Sequence, residues 1–138
     1  MNAAQFRHAA VHFDVAEYLG ATRPDVRWVL EYDHLIIKGG RSIEYIIDLA
    51  GLDKETKIIE FAVEIAATTQ HKDGKEKHSS YEHSKIPFYL LVDCASGVCS
   101  LYRHNGSSYQ EIDVLAHFPG LPEVVAKTMA EATKVENN

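Results

Sequence analysis

Two carboxylates and one ammonium group are the residues of this chain that could do chemistry together: Asp25, Glu64 and Lys77. Glu64 stands in an otherwise apolar run, Phe61-Ala62-Val63-Glu64-Ile65, and Asp25 follows Pro24 at the head of a second strand-like run. Oxygen ligands held on rigid strand ends suit Mg2+ or Mn2+. A lysine beside them suits orientation of an attacking water, or neutralisation of the charge that develops on a phosphorane. Such a set is the kit for metal-assisted hydrolysis of a phosphodiester. A carboxylate in a strand covered on both faces is costly to leave unpaired. A cation would meet the need of Glu64, and so would an ion pair with Arg27 or Lys77.

The elements that must position these groups follow from hydrophobic spacing. Phe6, Ala9, Ala10, Phe13, Ala16 and Leu19 recur at helical intervals, with Gly20 as a stop and Asp14 as an alternative cap for a second short helix. Val26, Trp28, Leu30 and Tyr32 alternate with polar residues, which is strand period, and Gly39-Gly40 ends that run. Arg41 to Leu52 fits either a short helix or a strand. Lys57 to Thr68 reads as a central strand covered on both sides. His71 to Ser84 reads as a polar helix lying across a sheet edge with Tyr81 turned inward, and Pro87 closes it. Phe88 to Val92 is a second covered strand. Val98 to Ile112 forms a hairpin about Asn105-Gly106, and Leu121 to Val135 is a closing amphipathic helix. The strand–helix–strand unit over residues 58–92 suggests a parallel or mixed pair with a right-handed crossover. The whole is an α/β fold, a mixed β-sheet flanked by helices, in a single domain over residues 1–138.

Composition narrows the function classes. The chain has 138 residues, 46% of them hydrophobic and 25% charged, and a net charge of −6. That is a globular profile. No run approaches a membrane span and the first residues lack a signal-peptide core, so the expected location is cytoplasmic. An acidic surface argues against a binder held to nucleic acid by charge alone, but not against an enzyme that meets it through a small basic patch and a metal. The basic cluster of note is Lys72, Lys75, Lys77 and Lys85 with His71 and His78, diluted by Asp73, Glu76 and Glu82. Cys94 and Cys99 are too few for a structural zinc site. No glycine-rich phosphate loop or nucleophile elbow is present.

The ordered set is similar to the Uma-type restriction endonuclease family, a branch of the PD-(D/E)xK nucleases. It comprises Pro24-Asp25-Val26, Arg41-Ser42, Val63-Glu64-Ile65, and Asp73 with Lys77 and Tyr81 at four-residue steps. Phe88 to Asp93 and a hairpin through Gly106 and Tyr109 complete it. The resemblance implies a restriction-endonuclease-like fold. It implies Mg2+ or Mn2+ held by Asp25, Glu64 and the carbonyl of Ile65, with Lys77 as the catalytic lysine. Ala66 stands where the lysine of the motif would be, so the resemblance places that lysine on the following helix. Lys75 and Tyr81 are candidate substrate contacts, Tyr81 alternatively a core residue. Asp73 reads as a helix cap, and Glu17 as a solvated residue or a further ligand. The expected partner is nucleic acid, DNA in the first instance. The alternative is a non-catalytic interaction domain that keeps the nuclease fold, with homodimer formation.

Overall fold

The computed structural model describes residues 2–66 and 71–136, with side chains throughout except at 71–75 and 136. The elements run α1 (Ala3–Thr22), β1 (Val26–Lys38), β2 (Arg41–Asp53), β3 (Ile59–Ala66), α2 (His71–His83), β4 (Phe88–Asp93), β5 (Cys99–His104), β6 (Tyr109–Ile112), α3 (Val114–His117) and α4 (Leu121–Glu136). The six strands form one sheet in the order β1-β2-β3-β4-β5-β6. β3 and β4 pair in parallel, and every other neighbouring pair is antiparallel. This is the mixed sheet expected from the sequence, with α2 in the crossover between the parallel strands.

Alternation along the central strands feeds two cores. Leu49, Phe61, Val63, Ile65, Leu90 and Val92 face α1 and α4, where Val11, Val15, Leu19, Leu121 and Val125 cover them. Ala50, Ala62 and Tyr89 face the other side, covered by Tyr81 and Ile86. α2 therefore lies on a face of the sheet rather than across its edge. Burial on both sides explains why β3 and β4 are apolar nearly throughout. α1 opens on a capping box, in which the Asn2 side chain accepts from the Gln5 amide and the Gln5 side chain accepts from the Asn2 amide. It is one continuous helix: Asp14 starts no second one, and its carboxylate accepts a 2.6 Å bond from the Thr128 hydroxyl of α4.

Residues Arg41–Asp53, readable as helix or strand, form a strand of 13 residues paired along almost its whole length with β1. Its partnership with β3 is much shorter. The β2–β3 register starts at Leu52↔Ile59 and reaches only Leu49↔Val63. Beyond that point β3 continues alongside β4 as far as Ala66↔Asp93, while β2 leaves with β1 as a two-stranded ribbon tipped by Gly39 and Gly40. The sheet thus forks between Asp48 and Glu64. The ribbon also turns over there. Leu49 faces one core and Ile47, two residues away, faces the other. Opposite Asp48, Glu31 takes a left-handed φ of 48°, a conformation uncommon for any residue but glycine, and it lets β1 follow the turn.

Candidate active site at the fork of the sheet

Forking leaves main-chain groups of β3 without a strand partner, and side chains fill the gap. The Ile65 amide donates to Asp48 Oδ2 at 2.8 Å, where a β2 carbonyl would otherwise sit. The Ile65 carbonyl lies 2.8 Å from Nε2 of His8 on α1. That nitrogen is also 3.8 Å from Asp48 Oδ2. One turn along, Nε2 of His12 meets the main-chain carbonyl of Asp48 at 2.7 Å. The second and third turns of α1 therefore overhang the fork and fix Asp48 from two sides.

Glu64 points to the opposite flank, toward α2. Its Oε1 accepts a 2.7 Å bond from the Tyr81 hydroxyl, and its Oε2 lies 3.3 Å from Lys77 Nζ. The same ammonium donates to the Ile46 carbonyl at 3.2 Å, which ties α2 to the ribbon. Glu64 is only 4% exposed. Burial, followed by the charge of neighbouring Asp48, pushes its carboxyl up to about 8, against the pull of Lys77 and Tyr81. Burial opposes ionisation of Asp48 as well. There the His8 ring, the Ile65 amide and Lys77 outweigh it and hold the carboxyl below its ordinary value. The fork thus holds two interacting carboxyls, one ionised and one retaining its proton near neutrality.

Of the residues picked out by sequence, Glu64, Lys77, Tyr81 and Ile65 converge here. Asp25 does not. Its carboxylate is gripped by both arms of Arg23 at 2.9 and 2.8 Å, at the exposed start of β1. The next residue, Val26, pairs with Asp53, and Leu52 pairs with Ile59. Glu64 lies five residues further along β3, about 16 Å at ~3.3 Å per residue. That separation is too great for both carboxylates to hold one ion. The acid that meets Glu64 is Asp48, in the stretch whose secondary structure the sequence left open. A lone carboxylate within Ile46-Ile47-Asp48-Leu49 is the same signal that drew attention to Glu64, and it would have found Asp48. His8 carried no such signal, because only the fold brings α1 to the fork.

Tyr81 is fully buried, so its hydroxyl serves Glu64 and is not turned to a substrate. Glu17 lines a groove between α1 and α4 with Tyr18, Lys127 and Glu131, away from the fork. The side chains of Lys75 and Asp73 lie outside the described residues.

Two carboxylates and a main-chain carbonyl are oxygen donors of the kind Mg2+ and Mn2+ take. A buried carboxyl pair short of positive charge is also where a cation gains most, so the residues fit such an ion. Among the described residues, no three His, Cys, Asp or Glu side chains already stand in a metal-gripping array; the donor set depends on the Ile65 carbonyl.

A search of the curated proteins finds no match to this chain. Among solved structures, a "putative nuclease belonging to DUF820" from Anabaena variabilis superposes with a TM-score of 0.63 at 12% identity, over 89% of this chain and 82% of that one. Such a likeness at low identity speaks for the fold, which is restriction-endonuclease-like. Two larger proteins match with a TM-score of 0.47 and 14% identity each. They are DrdV in a DNA complex, over 86% of this chain and 10% of that one, and the type IIG restriction endonuclease BpuSI, over 92% and 16%. The model of the Uma2 family, described as "Putative restriction endonuclease", matches residues 3–130, and on that match the chain belongs to the Uma2 family.

Proposed function

We propose that the protein is a metal-dependent endonuclease that hydrolyses phosphodiester bonds of nucleic acid, with DNA as the substrate the family description favours. The observation that carries this reading is the convergence of Asp48, Glu64 and Lys77 at the fork. In this reading Asp48 takes the place expected of Asp25. Asp48, Glu64 and the Ile65 carbonyl would hold Mg2+ or Mn2+, which supplies Lewis-acid polarisation of the scissile phosphate.

The chain's own residues do the rest. Attack by water forms one P–O bond and breaks another, and the water loses a proton while the leaving oxygen gains one. Lys77, held against Glu64 and the Ile46 carbonyl, orients that water or donates to the oxygens on which charge gathers. Tyr81 fixes one oxygen of Glu64 so that the other stays turned to Lys77. His12 fixes the main chain at Asp48. The cytoplasm, where Cys94 and Cys99 would stay as the free thiols seen here, is the compartment this reading assigns.

Nicking of supercoiled plasmid in Mg2+ or Mn2+ tests the proposal. Glu64→Gln and Asp48→Asn should each lose about 100-fold or more of the rate, in line with other groups that stabilise transition-state charge. Asp25→Asn should stay within about threefold of the parent, since its carboxylate only engages Arg23. Equal cleavage by all four proteins would dismiss the site.

A second reading keeps the fold without catalysis. The net charge of −6 and the exposed Leu35, Ile37 and Ile46 on the ribbon favour an interaction domain or homodimer. No change in unfolding temperature with millimolar Mn2+ would select it.

A further inference from the structure

We propose that the cleft between α1 and β1 beside the fork is a nucleobase subsite, in which one unstacked base of the substrate lies on Phe13 with its amino edge toward Glu31. This rests on the reading of the fork as the place where a phosphodiester is cut. The cleft has a volume of about 450 Å3 and is lined by Ala9, His12, Phe13, Leu30 and Glu31. Two of these are large apolar side chains open to solvent, Phe13 at 63% and Leu30 at 56%, and both lie outside the two cores. The cleft is continuous with the fork. Leu30 pairs with Leu49, the residue after Asp48. His12 lines the cleft and also meets the Asp48 carbonyl at 2.7 Å. A nucleotide with its phosphate at the fork therefore has its base within reach of the cleft.

The backbone of β1 is shaped for this. Successive strand residues point to opposite faces, yet Leu30 and Glu31 both line the cleft. The left-handed φ of 48° at Glu31 makes that possible, and non-glycine residues held in this region gather at functional sites. One open aromatic ring then stands beside one carboxylate. Those are the two groups an extruded base takes up: an aromatic ring stacks on any base, and polar groups at the base edge tell one from another. An ionised carboxylate only accepts hydrogen bonds, so it suits an exocyclic amino group such as that of cytosine, which thymine lacks. The same charge turns phosphates away, so the uncharged base and not the backbone enters the cleft.

Binding of fluorescein-labelled oligo-dC and oligo-dT to the full chain, followed by anisotropy in millimolar Ca2+, reads the subsite apart from any rate of cleavage. The parent should bind oligo-dC about fivefold or more tighter than oligo-dT. Phe13→Ala should weaken oligo-dC about tenfold, the loss of one base stacked on an aromatic ring, and Phe13→Trp should keep the parent's affinity. Glu31→Gln should bring the two oligonucleotides within about twofold of each other, since an amide also donates. Equal binding of oligo-dC by the parent and Phe13→Ala would overturn the subsite and leave the endonuclease reading standing. So would an absence of binding in a parent that nicks plasmid. A preference for oligo-dC that survives in Glu31→Gln would overturn the contact with the amino edge. A dimer that Phe13→Ala converts to a monomer, read by light scattering, would put a second copy of the chain in the cleft and overturn the proposal. If the parent neither binds these oligonucleotides nor nicks plasmid, both readings fall.

Discussion

Glu64 is where burial and charge disagree most. Its carboxyl rises from 4.5 to about 8 on folding. A raised acid favours the protonated form, so its contribution to stability is fully present below pH 4.5 and is lost as pH climbs through 8. At ~1.4 kcal/mol per unit the span is a few kcal/mol. Asp48 shifts the other way, so its contribution is present above its unfolded value near 3.8 and is lost in more acidic solution. Between pH 5 and 8.5 His8, raised chiefly by its contact with Asp48, and His34, lowered by burial, also titrate, but both are present in the parent and in Glu64→Gln. Urea unfolding in EDTA should therefore show the parent losing a few kcal/mol more across that range than Glu64→Gln, which matches or exceeds the parent at pH 8.5. Parallel profiles of parent and variant would mean that Glu64 is not shifted. Tyr81→Phe addresses the same carboxyl from the other side. Removing the 2.7 Å donor leaves a buried Glu64 oxygen poorly satisfied, which should cost ~1–3 kcal/mol and carry the decline in stability to higher pH.

At the scale of elements, what sequence could show depended on whether a strand keeps one face. β3, β4 and the β5–β6 hairpin hold their alternation, so the β–α–β unit, the Asn105-Gly106 turn and α4 were all readable. β2 does not, because it turns over at Asp48. Ile43, Tyr45, Ile46, Ile47 and Leu49 then mix both faces and match a helix as well as a strand. That ambiguity concealed the acid that matters, and Pro24-Asp25 offered a simpler match to the motif. A fork cannot be seen in one strand's pattern, since it consists of two strands ceasing to pair. What holds the paired portion together is testable at Gly51, enclosed by β1 and β3. A Cβ there would stand 2.8 Å from Trp28 Cζ3, 2.9 Å from Val26 Cγ1 and 3.1 Å from Phe61 Cβ. The Trp28 and Phe61 rings pack on each other with centroids 5.3 Å apart, so neither can easily give way. Gly51→Ala should destabilise by ~1–3 kcal/mol, measured by the urea midpoint at constant slope. A loss below about 0.5 kcal/mol would show that the strands part without strain.

For the molecule as a whole, the fork is a place where tertiary structure crowds two carboxyls, so that one keeps a proton a bound cation could replace. The unfolded chain cannot bring Asp48 and Glu64 together, so an ion that uses both binds the folded state alone and stabilises it by RT ln(1 + [L]/Kd). At a hundredfold excess over Kd this is about 2.7 kcal/mol. For a chain of 138 residues that corresponds to roughly 5–15 °C in Tm, interpolating between small and larger domains. The ion must also displace the proton of Glu64, so its affinity falls below pH 8, by up to about tenfold per unit, and levels off above pH 8, where Glu64 ionises unaided. The Tm increment with Mn2+ should therefore grow from pH 6 to pH 8.5 at fixed metal concentration. Glu64→Gln should lose most of the increment at both values, and Asp25→Asn should keep it. A Tm shift independent of pH, or one preserved in Glu64→Gln, would locate the bound ion elsewhere on this acidic surface and separate metal binding from the fork.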